Sequence, residues 1–451
     1  MMVRFHRHED GSVSLLGTRE RDLDRMRRFF ARLYREFGHY RAVMDGSGLL
    51  PEDSPIEVLG RFPHTSREDY RDILQPEALS RLSGDRFVCD YSSGSTGRCV
   101  LRLATPADEL AEQAITARVF RRAGMRGGDT FVCADVGFPE IYDFYFRAAR
   151  DVGVRRATFL HLNRDYGRSL KPIRGLAPDV FLTLPSLLVR SWPHLRSVWP
   201  RRRSPIRSLI SMGEPMHPEF RREIAETLGC RVYSFYGTTE TGGLAGECDC
   251  GAGDHFDPTL IGATIARPEF VDDQTVQGEL YLTTWHLRDH PVVKYRVGDV
   301  VRVTTRPCGC GEASPRLTVV ERTHEGFVLA GMKLRYQTIL DALNRVAGDL
   351  GLLAITLSDL PESEGHTLMR IDLPDRLAPL ERELLDVLRY EIFELDDLYQ
   401  FGLVRFQLDF HTDEAFDRRK VRRVTDRRRY LGDDSWEDAD GSSPDRTPGG
   451  L

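Results

Sequence analysis

Tyr91-Ser-Ser-Gly-Ser-Thr-Gly-Arg98 is a run of small and hydroxylated residues closed by a cation, set between the apolar stretches Phe87-Val88-Cys89 and Val100-Leu-Arg-Leu103. The flanks have strand length, so the run reads as the tip of a β-hairpin. Gly94 and Gly97 let the backbone turn and come close to an anion, Ser92, Ser93, Ser95 and Thr96 offer hydroxyl donors, and Arg98 adds a permanent charge. Such a tip is equipped to hold phosphate. An ordinary solvated Ser/Gly turn has the same composition, and the run alone does not separate the two. It is not a P-loop, because the four-residue gap between glycines and the Gly-Lys-Ser/Thr ending are both absent.

Upstream of the tip, the apolar positions Leu23, Met26, Phe30, Leu33, Phe37 and Tyr40 recur at three- and four-residue steps, which predicts one long amphipathic helix from Glu20. Residues 1–19 show no periodicity, and Ser66-Arg-Glu-Asp69 has the form of a helix start. Downstream, Thr105-Pro106 opens a helix, and the texture becomes one of short apolar strands alternating with helices: Thr130–Ala134, Thr158–Leu160, Val180–Thr183, Ser208–Ser211 and Val232–Phe235. That alternation predicts an α/β fold with a parallel-rich sheet covered on both faces. Ligands in such sheets sit at the C-terminal ends of the strands, where Ser211-Met-Gly-Glu-Pro215 and Tyr236-Gly-Thr-Thr-Glu240 lie. Gly278 to Arg316 reads as a small β-rich subdomain. Beyond Arg322 come a helical stripe (Tyr336 to Val346), two strands (Leu352–Leu357 and Leu368–Ile371), a second stripe (Leu377 to Ile392) and an alternating strand around Val404–Phe410. The expected organisation is a large domain over 1–321, a compact α+β domain over 322–430, and an acidic, then Gly/Ser/Pro-rich tail over 431–451 that composition reads as disordered.

A chain of 451 residues is long enough for roughly two or three cores. Its net charge of −6 argues against a general nucleic-acid or membrane-surface binder. No apolar run reaches the ~18 residues of a membrane span, and the first residues lack a signal peptide's apolar stretch, so a cytoplasmic location is expected. Of 63 basic residues only Lys171, Lys294, Lys333 and Lys420 are lysines, in a chain that otherwise uses arginine throughout. Cys89, Cys99, Cys133 and Cys230 stand among apolar neighbours and read as core residues, whereas Cys248-x-Cys250 and Cys308-x-Cys310 are paired, a pattern that suggests metal more than disulfide.

Taken together the motifs resemble the adenylate-forming superfamily of acyl-CoA synthetases, adenylation domains and luciferases. The tip looks like that family's phosphate-binding loop, Tyr236-Gly-Thr-Thr-Glu240 its Tyr-Gly-x-Thr-Glu motif, and Tyr295-Arg-Val-Gly-Asp299 its Tyr-Arg-Thr-Gly-Asp motif, in the family's order. Leu184-Pro-Ser186, Gly213-Glu214-Pro215 and the cysteine pattern place the resemblance nearest the phenylacetate-CoA ligase branch. It implies ATP-dependent activation of a carboxylic acid, often aromatic, followed by transfer to coenzyme A. An amide- or ester-forming synthetase using the same first step is the alternative, and a non-catalytic nucleotide-binding scaffold a third. By the resemblance, Ser92 to Arg98 hold the β- and γ-phosphates, Glu240 binds Mg²⁺, Thr239 lies by the α-phosphate, and Gly213, Glu214, Pro215, Tyr236, Gly237 and Thr238 belong to the nucleotide cleft. Asp299 takes the ribose hydroxyls and Arg322 marks the hinge between domains. Lys420 reaches both the substrate carboxylate and the α-phosphate. Cys248, His255, Cys308 and Cys310 form a structural Zn²⁺ site, with Cys250 as the alternative to His255. Arg98 and Arg419 stand where the family usually has lysine and glycine. The expected partners are therefore a carboxylic acid, ATP and coenzyme A, with a second copy of the chain allowed and no nucleic acid or membrane.

Overall fold

The computed structural model describes residues 3–82, 84, 86–92, 100–137, 142–163, 165–199, 204–322, 326–330, 332–350, 353–360, 363–412 and 424–428. Most of the expected phosphate tip (Ser93, Gly94, Ser95, Thr96, Gly97 and Arg98), Cys99, Lys420 and the expected tail lie outside them.

Five strands, Arg156–His161, Thr130–Asp135, Val180–Thr183, Ser208–Met212 and Arg231–Thr238, lie side by side in that spatial order and are parallel throughout. Their side chains divide by alternation between two cores. Val132, Ala134, Phe181 and Leu209 face Leu188, Trp192, Phe220 and Ile224. Phe131, Cys133, Val180, Leu182 and Ile210 face Phe120, Ala148 and Ala149 on the other side. With both faces covered, these strands have no polar side to show, which is why they read as short continuous apolar runs.

After Thr238 the chain folds back as Gly242–Gly246, antiparallel to Arg231–Thr238, and the sheet continues without a gap. Asp254–His255, Arg316–Arg322, Tyr295–Thr304, Thr275–Thr284, Ile261–Asp272, Val13–Gly17 and Val3–Arg7 follow, each antiparallel to its neighbour. The β-rich subdomain is thus hydrogen-bonded edge to edge onto the parallel strands, thirteen strands in all among the described residues. The joint is Asp254–His255, two residues long, which pairs with Gly246 on one side and with Arg316 and Leu317 on the other.

Three local expectations are corrected. Residues 1–19 carry two strands that turn at Gly11 (φ 80°). Val13–Gly17 is buried along its whole length, so it leaves no alternation to detect. The helix from Glu20 stops at Glu36, Phe37 is extended (φ −120°, ψ 117°), and a second helix runs over Gly38–Gly46. Phe37 and Tyr40 both remain in the core, so the apolar stripe reads straight through the break. Cys89 is exposed, on a strand at the surface, while Cys133 and Cys230 are buried.

The expected hairpin forms from Val88–Ser92 and Val100–Ala104, as a two-stranded sheet of its own that closes with Ser92 opposite Val100. Thr105 then caps the helix Pro106–Arg122, its side-chain oxygen accepting from the Asp108 N–H at 3.4 Å. Beyond residue 325 a hairpin (Gly326–Leu329 with Met332–Arg335) leads into the helix Tyr336–Ala347 and a four-stranded sheet in the order Val404–His411, Ser363–Pro374, Ala354–Leu360, Val424–Asp426. The residues of this region bury a hydrophobic cluster of their own. Among the described residues no helix is long and apolar enough to cross a membrane.

Candidate active site

The two halves of the sheet meet at a pair of carboxylates. Tyr236, at the end of the last parallel strand, donates its hydroxyl to Asp299 Oδ2 at 2.7 Å. Asp299 sits on the antiparallel strand Tyr295–Thr304, where it faces Arg322 in register. In the opposite sense, Tyr295 donates its hydroxyl to Glu240 Oε1 at 2.8 Å, and Glu240 lies in the turn that follows Tyr236. Each tyrosine therefore fixes a carboxylate carried by the other half of the sheet. Burial, and then the neighbouring Glu240, push the Tyr295 hydroxyl well above its ordinary range, so it stays a donor. Arg67 Nε stands 4.0 Å from Glu240 Oε1, on the short helix opened by the Ser66–Asp69 capping box.

The turn is tightly built. A side chain on Gly237 would come within 2.6 Å of the Gly242 carbonyl oxygen, so that position admits only glycine. Thr238 and Thr241 share a hydroxyl–hydroxyl bond of 2.8 Å, and Thr239 is half-buried between them and Glu240. The Gly213-Glu214-Pro215 loop is fastened from below: Glu214 accepts from the Ser186 N–H at 3.0 Å and from its hydroxyl at 2.7 Å, on the first turn of the helix Pro185–Val198. Burial raises the Glu214 carboxyl, opposed by the Ser186 bonds and by the charges of Arg428 and Arg190. Of the residues picked out from sequence, Tyr236, Gly237, Thr238, Thr239, Glu240, Asp299 and Arg322 thus come together at one place. Arg67 stood in the helix start Ser66–Asp69, and Ser186 and Tyr295 in motifs of the resemblance, all three without a role in the site.

A second cluster sits at the joint of the sheet. Ligand atoms of Cys248, His255, Cys308 and Cys310 lie within 4.8 Å of one another. The Sγ atoms of Cys248 and Cys308 are 3.6 Å apart. That is too far for a disulfide, and close to the ~3.8 Å that two Zn–S bonds of about 2.3 Å subtend at a tetrahedral angle. His255 turns Nε2 toward Cys310 Sγ (3.5 Å) while Nδ1 is held by the Ser314 hydroxyl at 2.9 Å, the kind of outer contact that orients a ligating imidazole. Cys250 offers its backbone N–H to Cys248 Sγ at 3.4 Å. Burial raises the Cys308 thiol, but the Cys310 N–H and the thiols of Cys310, Cys248 and Cys250 outweigh it and bring it to about 7. Three sulfur donors and one imidazole, arranged this closely, fit a tetrahedral zinc ion.

A covered parallel sheet with paired carboxylates at its strand ends, a separate two-stranded hairpin and an α+β region make up the architecture of an adenylate-forming ligase. Comparison with solved structures agrees on the fold. The structure of 2-hydroxyisobutyryl-CoA ligase in complex with 2-HIB-AMP and CoA superposes with a TM-score of 0.71 at 20% identity, over 91% of this chain and 90% of that one. The profile of the AMP-binding enzyme family matches residues 49–284, and the chain belongs to that family. Among curated relatives, phenylacetate-coenzyme A ligase of Pseudomonas putida is 29% identical over 66% of this chain and 70% of its own. The enzyme of that name from Thermus thermophilus is 25% identical over 83% of this chain and 85% of its own.

Proposed function

We propose that the protein joins a carboxylic acid to ATP as an acyl-adenylate and then hands the acyl group to coenzyme A. The observation that carries this reading is the crossed pair Tyr236–Asp299 and Tyr295–Glu240, which presents two oriented carboxylates at the C-terminal ends of the parallel strands. In the first step a carboxylate oxygen of the acid bonds to the α-phosphorus and pyrophosphate leaves. In the second the coenzyme A thiolate bonds to the acyl carbon and AMP leaves. Ser92 to Arg98 hold the β- and γ-phosphates, Glu240 takes the Mg²⁺ that travels with ATP, and Thr239 lies beside the α-phosphate. Asp299 accepts from the ribose hydroxyls with Arg322 opposite. The adenine lies between Gly213-Glu214-Pro215 and Tyr236, and Lys420 neutralises charge as the acid attacks. An aromatic acid follows the names of the relatives. Coenzyme A as acceptor rests on the names of the relatives. The domains are 1–321 and 322–430, and Cys248, His255, Cys308 and Cys310 hold a zinc ion with a folding role. A cytoplasmic location fits the substrates.

The test is pyrophosphate release across a panel of carboxylic acids, with and without coenzyme A. One acid, aromatic, is expected to support release, and saturating coenzyme A to raise the steady rate of AMP formation and yield a thioester. AMP formation indifferent to coenzyme A but accelerated by an amine would replace the thioester step with amide synthesis.

A further inference from the structure

Under this reading, two parts of the nucleotide site sit on elements that share no strand pairing: the phosphate hairpin is its own small sheet, while the Glu240 turn belongs to the large one. Strand pairing therefore does not set the distance between them. Arg102, on the second strand of the hairpin, makes a salt bridge to the carboxylate of Glu112, on the helix that runs directly on from the hairpin. Glu112 is 1% exposed. The same carboxylate rests against Gly242, two residues beyond Glu240. A Cβ on Gly242 would stand 2.9 Å from the Glu112 carboxyl carbon, and Gly242 itself has φ +75°. One helical turn on, Thr116 faces the neighbouring Gly243, whose Cβ would lie 3.5 Å from Thr116 Oγ1 and 2.4 Å from the Phe235 ring. Glu112 Oε1 and Thr116 Oγ1 are buried with no hydrogen-bond partner among the described residues. A buried carboxylate left half-satisfied costs stability, and a well-packed apolar residue at 112 would avoid that cost. Its presence calls for a local use, and the contacts supply one.

We propose that Glu112 is a positioning residue which, with Arg102, clamps the phosphate hairpin at a set distance from the Glu240 turn, so that the phosphates held by one meet the Mg²⁺ held by the other. The contact reads both ways. Arg102 ties the carboxylate to the hairpin strand, and the missing side chain of Gly242 lets the carboxylate seat directly on the backbone that carries Glu240. No direct touch of substrate is involved, so the residue acts through the two elements it spaces.

The proposal rests on the nucleotide reading of the site, and pyrophosphate exchange in the wild type separates the two: no exchange with any acid sinks that reading. With exchange established, Glu112→Gln keeps the volume and drops the charge. It is expected to raise the KM for MgATP about tenfold, a loss of about 1.4 kcal/mol, and to shift the Mg²⁺ requirement upward, with the KM for the acid changed less than about twofold. Gly242→Ala presses the same contact from the other side without stranding a buried charge and is expected to move the same constants. The double variant Arg102→Gln with Glu112→Gln removes both charges and is expected to recover melting temperature but not the KM. Unchanged MgATP constants in folded single variants, recovery of KM together with melting temperature in the double variant, or failure of both single variants to fold would each overturn the clamp.

Discussion

His290 shows how single buried groups set the acid limit of this fold. Burial, then the charges of Arg102 and Arg81, bring its imidazole down to about 3. The ring is stacked on Tyr70 and accepts from that hydroxyl at 3.2 Å and from the Leu103 N–H at 3.4 Å, so it is held neutral while supporting the hairpin strand Val100–Ala104. A folded value below the ordinary 6.5 means that the unfolded chain takes up the proton first. The stability this group contributes is complete above about pH 6.5 and is lost as pH falls toward 3, by up to about 1.4 kcal/mol per pH unit. His290→Gln is expected to melt lower than wild type at pH 8 but to lose less between pH 7 and 5, as read by thermal melts across that range; parallel curves would remove His290 from the account. The same scale divides what sequence reveals from what it hides. Tyr236, Glu240 and Asp299 were visible because each stands in a contiguous motif. The contacts of Arg67 and Tyr295 with Glu240 and of Glu112 with Gly242 were not, because they join residues far apart in sequence that only the packing of the elements brings together.

At the scale of elements, the parallel strands were readable to within three residues, since buried apolar runs between helices have few alternatives. Val13–Gly17 escaped because a strand buried on both faces shows no alternation, and Ser14 and Gly17 break up its apolar run. The helix break at Phe37 escaped because the core accepts the side chains on both sides of it. The cysteine-bearing turns bring the four candidate zinc ligands together from separate elements. Cys248 follows Gly242–Gly246, His255 lies on Asp254–His255, and Cys308 and Cys310 fill the turn before Arg316–Arg322. Metal analysis is expected to find about one zinc per chain, and Cys308→Ser to lower the melting temperature more than it lowers turnover of the protein that remains folded, because a closed four-ligand site acts on folding. A metal-free preparation of unchanged stability would contradict this.

Across the whole molecule, the C-terminal region leans on the C-terminal ends of the parallel strands. Arg190 donates to the Leu403 carbonyl at 3.0 Å, and the buried Arg428 pairs with Asp426 within reach of the charge of Glu214. Lys420 precedes that strand by a few residues and lies outside the described part of the chain. It is one of four lysines among 63 basic residues, and a lysine offers a compact ammonium on a flexible stem. Lys420→Ala is expected to abolish pyrophosphate exchange while leaving the melting temperature unchanged; normal exchange would remove the lysine from the chemistry. One feature of the sheet bears on how such a molecule responds as a unit. Its continuity passes through Asp254–His255 alone, a joint two residues long, while the tyrosine–carboxylate bonds span the same divide from the side of the cleft. The two rafts of strands are therefore pinned at both margins of a narrow seam, one margin by the cysteine and histidine cluster and the other by the pair of hydroxyls. A break at one margin therefore leaves the other as the tie across the seam.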